Sequence, residues 1–257
     1  MRPCSGGLEG KLKPSCRGLR RKSFQGKRVL KLPRLMLGTS PFIAAGQFGL
    51  KAMEYYSRFY LNPSNIAKVY REAYELGVKA LQLVASKPTI QALELANVKF
   101  HLTVSIYGDF EKTLRKIERF KPEIVAVHAE IADSLNLPKI EGCLREVKRV
   151  GAVPAAATHL PGRTIPALDK LGEVEVYLAP LNRLGLFMEP DPEEALKALR
   201  ETPAKIIAIK PLAAGRLNPR EAFEYVYGIA DSAAVGMTSR SEIVEALEAL
   251  EALGLKP

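Results

Sequence analysis

From Leu35 to the C-terminus, short apolar runs alternate with amphipathic stretches at nearly even spacing. The runs are LMLG (35–38), ALQLV (80–84), HLTVS (101–105), IVAVH (124–128), VPAAA (153–157), VEVYL (174–178), KIIAIK (205–210) and SAAVG (232–236). Their length and β-branched content predict strands, and their near-continuous apolarity predicts burial on both faces rather than one. Helix signals fill the gaps. Asn62-Pro63-Ser64 opens one helix and Gly77 closes it, with Ile66, Val69, Tyr70, Ala73 and Leu76 as its apolar stripe. Another runs to Phe120 before Pro122, and a third spans 144–150 before Gly151. Asp191-Pro192-Glu193-Glu194 and Asn218-Pro219-Arg220-Glu221 each supply a capping residue, a proline for the first helical position and an acid for the first turn. The last helix spans 241–253 and stops at Gly254. Eight strands, each followed by a helix, predict an α/β fold of the (β/α)8 TIM-barrel class; a doubly wound open sheet is the alternative. Upstream, RKSFQGKRVLKLPR reads as an N-terminal β-hairpin turning at Gln25-Gly26 and capping the barrel floor. The expected organisation is a basic leader over 1–18 and a single barrel domain over 19–257.

Charge changes this picture at one end only. Residues 1–34 hold eleven Lys or Arg against Glu9 alone, so the net charge of +10 belongs to them, and the remaining 27 basic and 27 acidic residues balance. The first eighteen residues, rich in Gly, Pro, Ser and charge, predict a solvated tail, with a nucleic-acid or membrane-surface arm as the alternative. Nucleic acid is not expected as a partner of the body. No run approaches eighteen consecutive apolar residues and the leader has no apolar central segment, so neither a membrane span nor a secretory signal is expected; the expected location is cytoplasmic. Cys4, Cys16 and Cys143 lack metal-ligand spacing and are expected as thiols. A charge-rich chain with only ten Asn plus Gln fits a hot environment.

Barrel enzymes build their sites where strands end, which makes the residues finishing each run the candidates. Strands four, five and seven deliver His128, Glu130, His159 and Lys210. If the strand continues through Glu130, Ala126, His128 and Glu130 share a face. Two imidazoles, a carboxylate and an amine in a partly dry mouth perturb each other's proton affinities, which suits acid–base work or a Schiff-base lysine; two histidines and a glutamate equally suit a divalent metal. A structural ion pair between Lys210 and Glu130 is the plainer alternative. Strand seven runs into PLAAGR with Arg216, and strand eight into GMTSRSE with Gly236, Thr238, Ser239 and Arg240. Small residues and a helix start beside arginines suit a phosphate-bearing small molecule, though Thr238 and Ser239 are also ordinary caps. The long connection 40–63 carries Tyr55, Tyr56, Phe59 and Tyr60. It is expected to pack on the barrel rim or on a second copy of the chain, with Tyr56, Phe59 and Tyr60 on one face.

The stretches KLPRLMLGTSPF (31–42), IKPLAAGRLNPREAF (209–223) and AAVGMTSRSEIVEAL (233–247), with His128 after strand four, resemble the aldo-keto reductase superfamily of barrels. The resemblance implies NADP as a cofactor, its phosphates held by the last two loops at Arg216, Gly236, Thr238, Ser239 and Arg240. It also implies a catalytic aspartate and tyrosine after strand two and a lysine ending strand three. Here ALQLVASKP offers Gln82 and no tyrosine, and strand three ends at Ser105, so His128 alone matches that tetrad. The expectation is a reductase-like barrel without the reductase tetrad; an NADP-dependent oxidoreductase with a rewired donor, a metal-dependent enzyme and a non-catalytic binding protein are the alternatives. A shorter similarity, VHAE (127–130) with PGRT (161–164), resembles ribulose-phosphate epimerase-like barrels and implies proton transfer on a phosphorylated compound.

Overall fold

The structure is a computed structural model, and it describes residues 30–257. Eight strands, β1 (Leu35–Gly38), β2 (Ala80–Val84), β3 (His101–Ile106), β4 (Ile124–Val127), β5 (Val153–Ala157), β6 (Val176–Pro180), β7 (Lys205–Ile209) and β8 (Ser232–Gly236), close into one barrel in sequence order. Every neighbouring pair is parallel, and β8 closes on β1 with Leu37 opposite Val235 and Gly38 opposite Gly236. The open-sheet alternative is thereby excluded. The leader over 1–18 and most of the expected hairpin lie outside the described residues; residues 30–34, which are described, form no strand.

Ten α-helical segments decorate the described barrel: α1 (Lys51–Tyr55), α2 (Pro63–Glu75), α3 (Lys87–Ala96), α4 (Phe110–Ile117), α5 (Ala129–Ala132), α6 (Leu137–Arg149), α7 (Pro161–Asp169), α8 (Pro192–Glu201), α9 (Pro219–Val226) and α10 (Arg240–Glu251). Proline in the first turn opens six of them, because its missing N–H costs nothing there and its fixed φ is already helical. Asp191 caps α8 through Glu193 N–H and Glu194 N–H, and Asn218 caps α9 through Glu221 N–H. Pro161 starts α7, and α6 begins at Leu137 behind the cap Asn136 rather than at 144.

Two packed layers position the site. Inside the barrel lie Met36, Ala80, Ile124, Ala126, Ala155, Ala157, Val176, Leu178, Ile207 and Ala234, with Leu30 and Leu32 packed against them. The opposite strand faces pack against the helices, and each Leu, Ile or Phe buried there contributes about 1.5–3 kcal/mol relative to exposure. Towards the C-terminal ends the inward positions become small or polar: Gly38, Gln82, Ser105, Ala157 and Gly236. A core that fills its floor and leaves its top narrow-sided opens a hollow at the mouth. Over one side of that hollow runs the 40–63 connection. Tyr55 and Phe59 are its inward pair, touching Phe48 and Phe42, while Tyr56 and Tyr60 stack on each other outside at 5.0 Å. Phe59 therefore does not share a face with Tyr56 and Tyr60. Among the described residues no helix is long and apolar enough to cross a membrane.

Candidate active site at the barrel mouth

The mouth holds a cavity of about 420 Å3 bounded by Gln82, Ser105, His128, His159, Phe187 and Lys210, with the 40–63 connection as its roof. β4 ends at Val127, and His128 caps the short helix α5 instead of extending the strand. Its Nδ1 accepts from the Glu130 backbone N–H at 3.2 Å, so a neutral ring carries its proton on Nε2. Burial lowers the proton affinity of His128 below the usual 6.5, against the opposing pull of Glu130 and Asp133. His159 stands edge-on to His128, ring centroids 6.0 Å apart. Its proton affinity is pushed down to about 4, first by desolvation of the ring and then by the charges of Lys210 and His128. The residue as a whole remains exposed, and solvent tempers that depression. Both imidazoles are thus neutral at pH 7.

Lys210 directly follows β7 in a left-handed conformation (φ 55°), which costs a non-glycine residue about 1–2 kcal/mol. Its Nζ lies 5.0 Å from the centre of the Phe187 ring. No carboxylate lies within ion-pair distance of it among the described residues, and burial depresses its proton affinity, opposed only by the field of Glu189. The alternative of a structural Lys210–Glu130 ion pair is not what forms. Because the chain turns helical at Ala129, Glu130 leaves the strand face, becomes exposed and accepts from Gly108 N–H at 3.2 Å. That turn also breaks up the candidate metal set: among the described residues no three His, Cys, Asp or Glu side chains gather as a metal site. His101 sits at the barrel floor, where β3 begins.

A second hollow of about 420 Å3 adjoins the first, sharing Ser40, Gln47, Gln82, Ile209 and Lys210 with it. This groove runs beneath the loops after β7 and β8, with Lys51 and Arg216 as cations and Glu242 and Glu245 as acids on its walls. The Arg216 guanidinium donates to Ala213 O at 3.0 Å. Gly236 faces Pro41 so closely that an added Cβ would meet the proline ring at 2.7 Å. The start of α10 is filled by the chain itself. Glu242 accepts from both the N–H and the Oγ1 of Thr238, Ser239 accepts from Glu242 N–H at 3.3 Å, and Arg240 is exposed and does not line the groove.

No family model matches the sequence, and neither does any curated protein. Solved structures do. A thermostable aldo-keto reductase, Tm1743, solved with the inhibitor epalrestat, superposes with a TM-score of 0.62 at 14% identity, over 88% of this chain and 92% of its own. The aldo-keto reductase AKR11C1 from Bacillus halodurans, in its holo form, gives 0.56 at 14%, over 85% and 86%. The fold is an aldo-keto-reductase-like barrel. An HpcH/HpaI aldolase/citrate lyase family protein from Burkholderia cenocepacia also aligns, with a TM-score of 0.50 at 10% identity over 86% of this chain and 95% of its own, so fold alone leaves the chemistry open.

Where this reductase-like barrel would meet a dinucleotide phosphate, its residues fit poorly. A helix start binds anions through free N–H groups and the helix dipole, yet here the Glu242 carboxylate already takes the Thr238 N–H and adds a negative charge. Sequence reasoning missed the residue that organises the other side of the mouth. Asp133 accepts from Thr158 Oγ1, from Thr164 Oγ1 at 2.6 Å and from the His159 N–H at 2.9 Å, tying β5 and α7 to the end of α5. Its signal was the Asp closing AVHAEIAD, three residues past the glutamate that drew attention. Tyr107, its ring 5.7 Å from that of His128, was missed because it lies beyond the end of β3.

Proposed function

We propose that this chain is an enzyme that moves protons on a small phosphate-bearing carbonyl compound held across the two hollows. The observation that carries the reading is the convergence of His128, His159 and Lys210 on one cavity at the C-terminal ends of three strands. The two imidazoles have opposite readiness. Nδ1 of His128 is occupied, which leaves its Nε2–H to donate towards a carbonyl oxygen, whereas neutral His159 is free to accept a proton. A C–H bond beside the carbonyl breaks, its proton passes to His159, its electron pair forms the enol double bond, and the carbonyl oxygen takes the proton of His128. Reprotonation at another carbon or on the other face gives an isomer or epimer. Lys51 and Arg216 would draw the phosphate into the adjoining groove, where Gly236 keeps the wall thin. Thr238, Ser239 and Arg240, the expected phosphate ligands, are given no part because Glu242 engages the first two and the third lies outside.

The test is hydrogen exchange in D2O, followed by NMR, with dihydroxyacetone phosphate, glyceraldehyde 3-phosphate and ribulose 5-phosphate as probes. Exchange by the wild type that drops at least tenfold in both His159→Gln and His128→Gln supports the reading; no exchange with any probe, or exchange indifferent to both substitutions, removes it.

A further inference from the structure

Among the lysines of the described barrel, Lys210 is set apart by its surroundings. Lys148 pairs with Glu173 and Lys205 with Asp231, while Lys51 stands exposed on the groove wall. Lys210 faces both hollows, has an aromatic ring rather than a carboxylate beside its Nζ, and shares the mouth with two neutral proton carriers. An ammonium kept for charge alone is normally paired with a carboxylate where it is half-buried, as Lys210 is. A lysine kept as an amine needs the opposite: partial burial, no acid to hold its proton, and neighbours that move protons during attack.

We infer that Lys210 is a covalent nucleophile, forming an imine with the carbonyl carbon of the substrate. This rests on the mouth being the reaction site as proposed above, and names the substrate class as an aldehyde or ketone rather than an ester or an isolated phosphate. Nζ attacks the carbonyl carbon, the new C–N bond forms as the C=O π pair moves to oxygen, and that oxygen takes the Nε2 proton of His128. The nitrogen then loses a proton to His159. The resulting carbinolamine expels its hydroxyl as water with the proton returned by His159, and the remaining N–H proton passes to Nε2 of His128, which restores both imidazoles and leaves amine plus carbonyl converted to imine plus one water. Phe187 covers the Nζ side of the new bond, and its low polarity favours loss of water over its return.

Full-chain protein incubated with dihydroxyacetone phosphate, glyceraldehyde 3-phosphate or pyruvate and sodium cyanoborohydride should gain the mass of one reduced adduct. Peptide mapping should place it on Lys210, and Lys210→Arg, which keeps the charge and is checked for unchanged melting, should slow its formation at least tenfold. Adducts spread over the surface lysines at similar rates, or none on Lys210 with any of the three probes, overturn the inference. Exchange of substrate hydrogens in D2O without a trapped adduct would leave the proton-transfer reading standing and remove the imine. A Lys210 adduct without exchange would do the reverse.

Discussion

At the scale of single residues, the mouth is built from side chains whose protonation is decided by what they lack. The folded His159 takes a proton only near pH 4, whereas in the unfolded chain it does so near the usual 6.5. As pH falls through 6.5 the unfolded chain gains a proton that the folded one refuses, so the stability present above 6.5 is lost progressively towards 4. Burial of His128 acts with the same sign. The urea midpoint should therefore fall between pH 7.5 and 4.5, and His159→Gln should flatten that fall; an unchanged slope would mean that water reaches the ring freely. Asp133 is the second residue-scale test. Asp133→Ala strands the buried hydroxyls of Thr158 and Thr164 and frees the His159 backbone, for roughly 2–4 kcal/mol of lost stability, readable by urea unfolding. Asp133→Asn, which retains an acceptor, should lose less. Strand ends are visible in a sequence, which is why His128, His159 and Lys210 could be picked out. The partners Asp133 and Phe187 lie in turns whose direction only the packed chain fixes, and Glu130 was misplaced because one helical turn replaces one strand step.

At the scale of elements, the sequence was informative wherever local chemistry decides and weak where packing does. Strands buried on both faces read as apolar runs, and helices that begin with a cap and a proline announce themselves. The exceptions have specific causes. β6 is shifted to Val176–Pro180, two residues beyond the predicted run, because apolar runs show burial but not register. In the 40–63 connection, residues 55 and 59 face inward and 56 and 60 outward, a choice set by Phe42 and Phe48 rather than by periodicity. The closing pair Gly38 and Gly236 belongs to this scale too. Without side chains there, the loop carrying Pro41 can settle onto β8. Gly236→Ala should displace that loop and destabilise the chain by about 1–3 kcal/mol, the range for overpacking, in thermal or urea unfolding. If the variant melts like the wild type, the contact between Pro41 and β8 is not maintained in solution.

At the scale of the whole molecule, likeness to the reductases and the local fit at the start of α10 point in different directions, and the second is the more specific. A backbone shared at 14% identity carries strand order and mouth position, while cofactor binding depends on a few donors that such divergence is free to alter. Here the Thr238 N–H is spent on Glu242, and Glu245 adds a further acid to a groove that a dinucleotide's phosphates would have to enter. A carboxylate bonded at the start of α10 repels a phosphate brought up to the Thr238 N–H, which leaves Lys51 and Arg216 as the phosphate partners the groove offers. NADPH titrated into the wild type should give no change in nicotinamide fluorescence up to about 1 mM, a free energy no stronger than about −4 kcal/mol. Glu242→Ala releases the Thr238 N–H, removes one negative charge and leaves Lys51 and Arg216 in place, so it should bind NADPH or inorganic phosphate at least tenfold more tightly by calorimetry. Micromolar binding by the wild type would instead mean that Glu242 swings away when the cofactor arrives, and oxidoreduction would then become the better account of this mouth. Tighter binding only after Glu242→Ala would mean that a phosphate cradle is still present in the backbone and that a single carboxylate holds it closed.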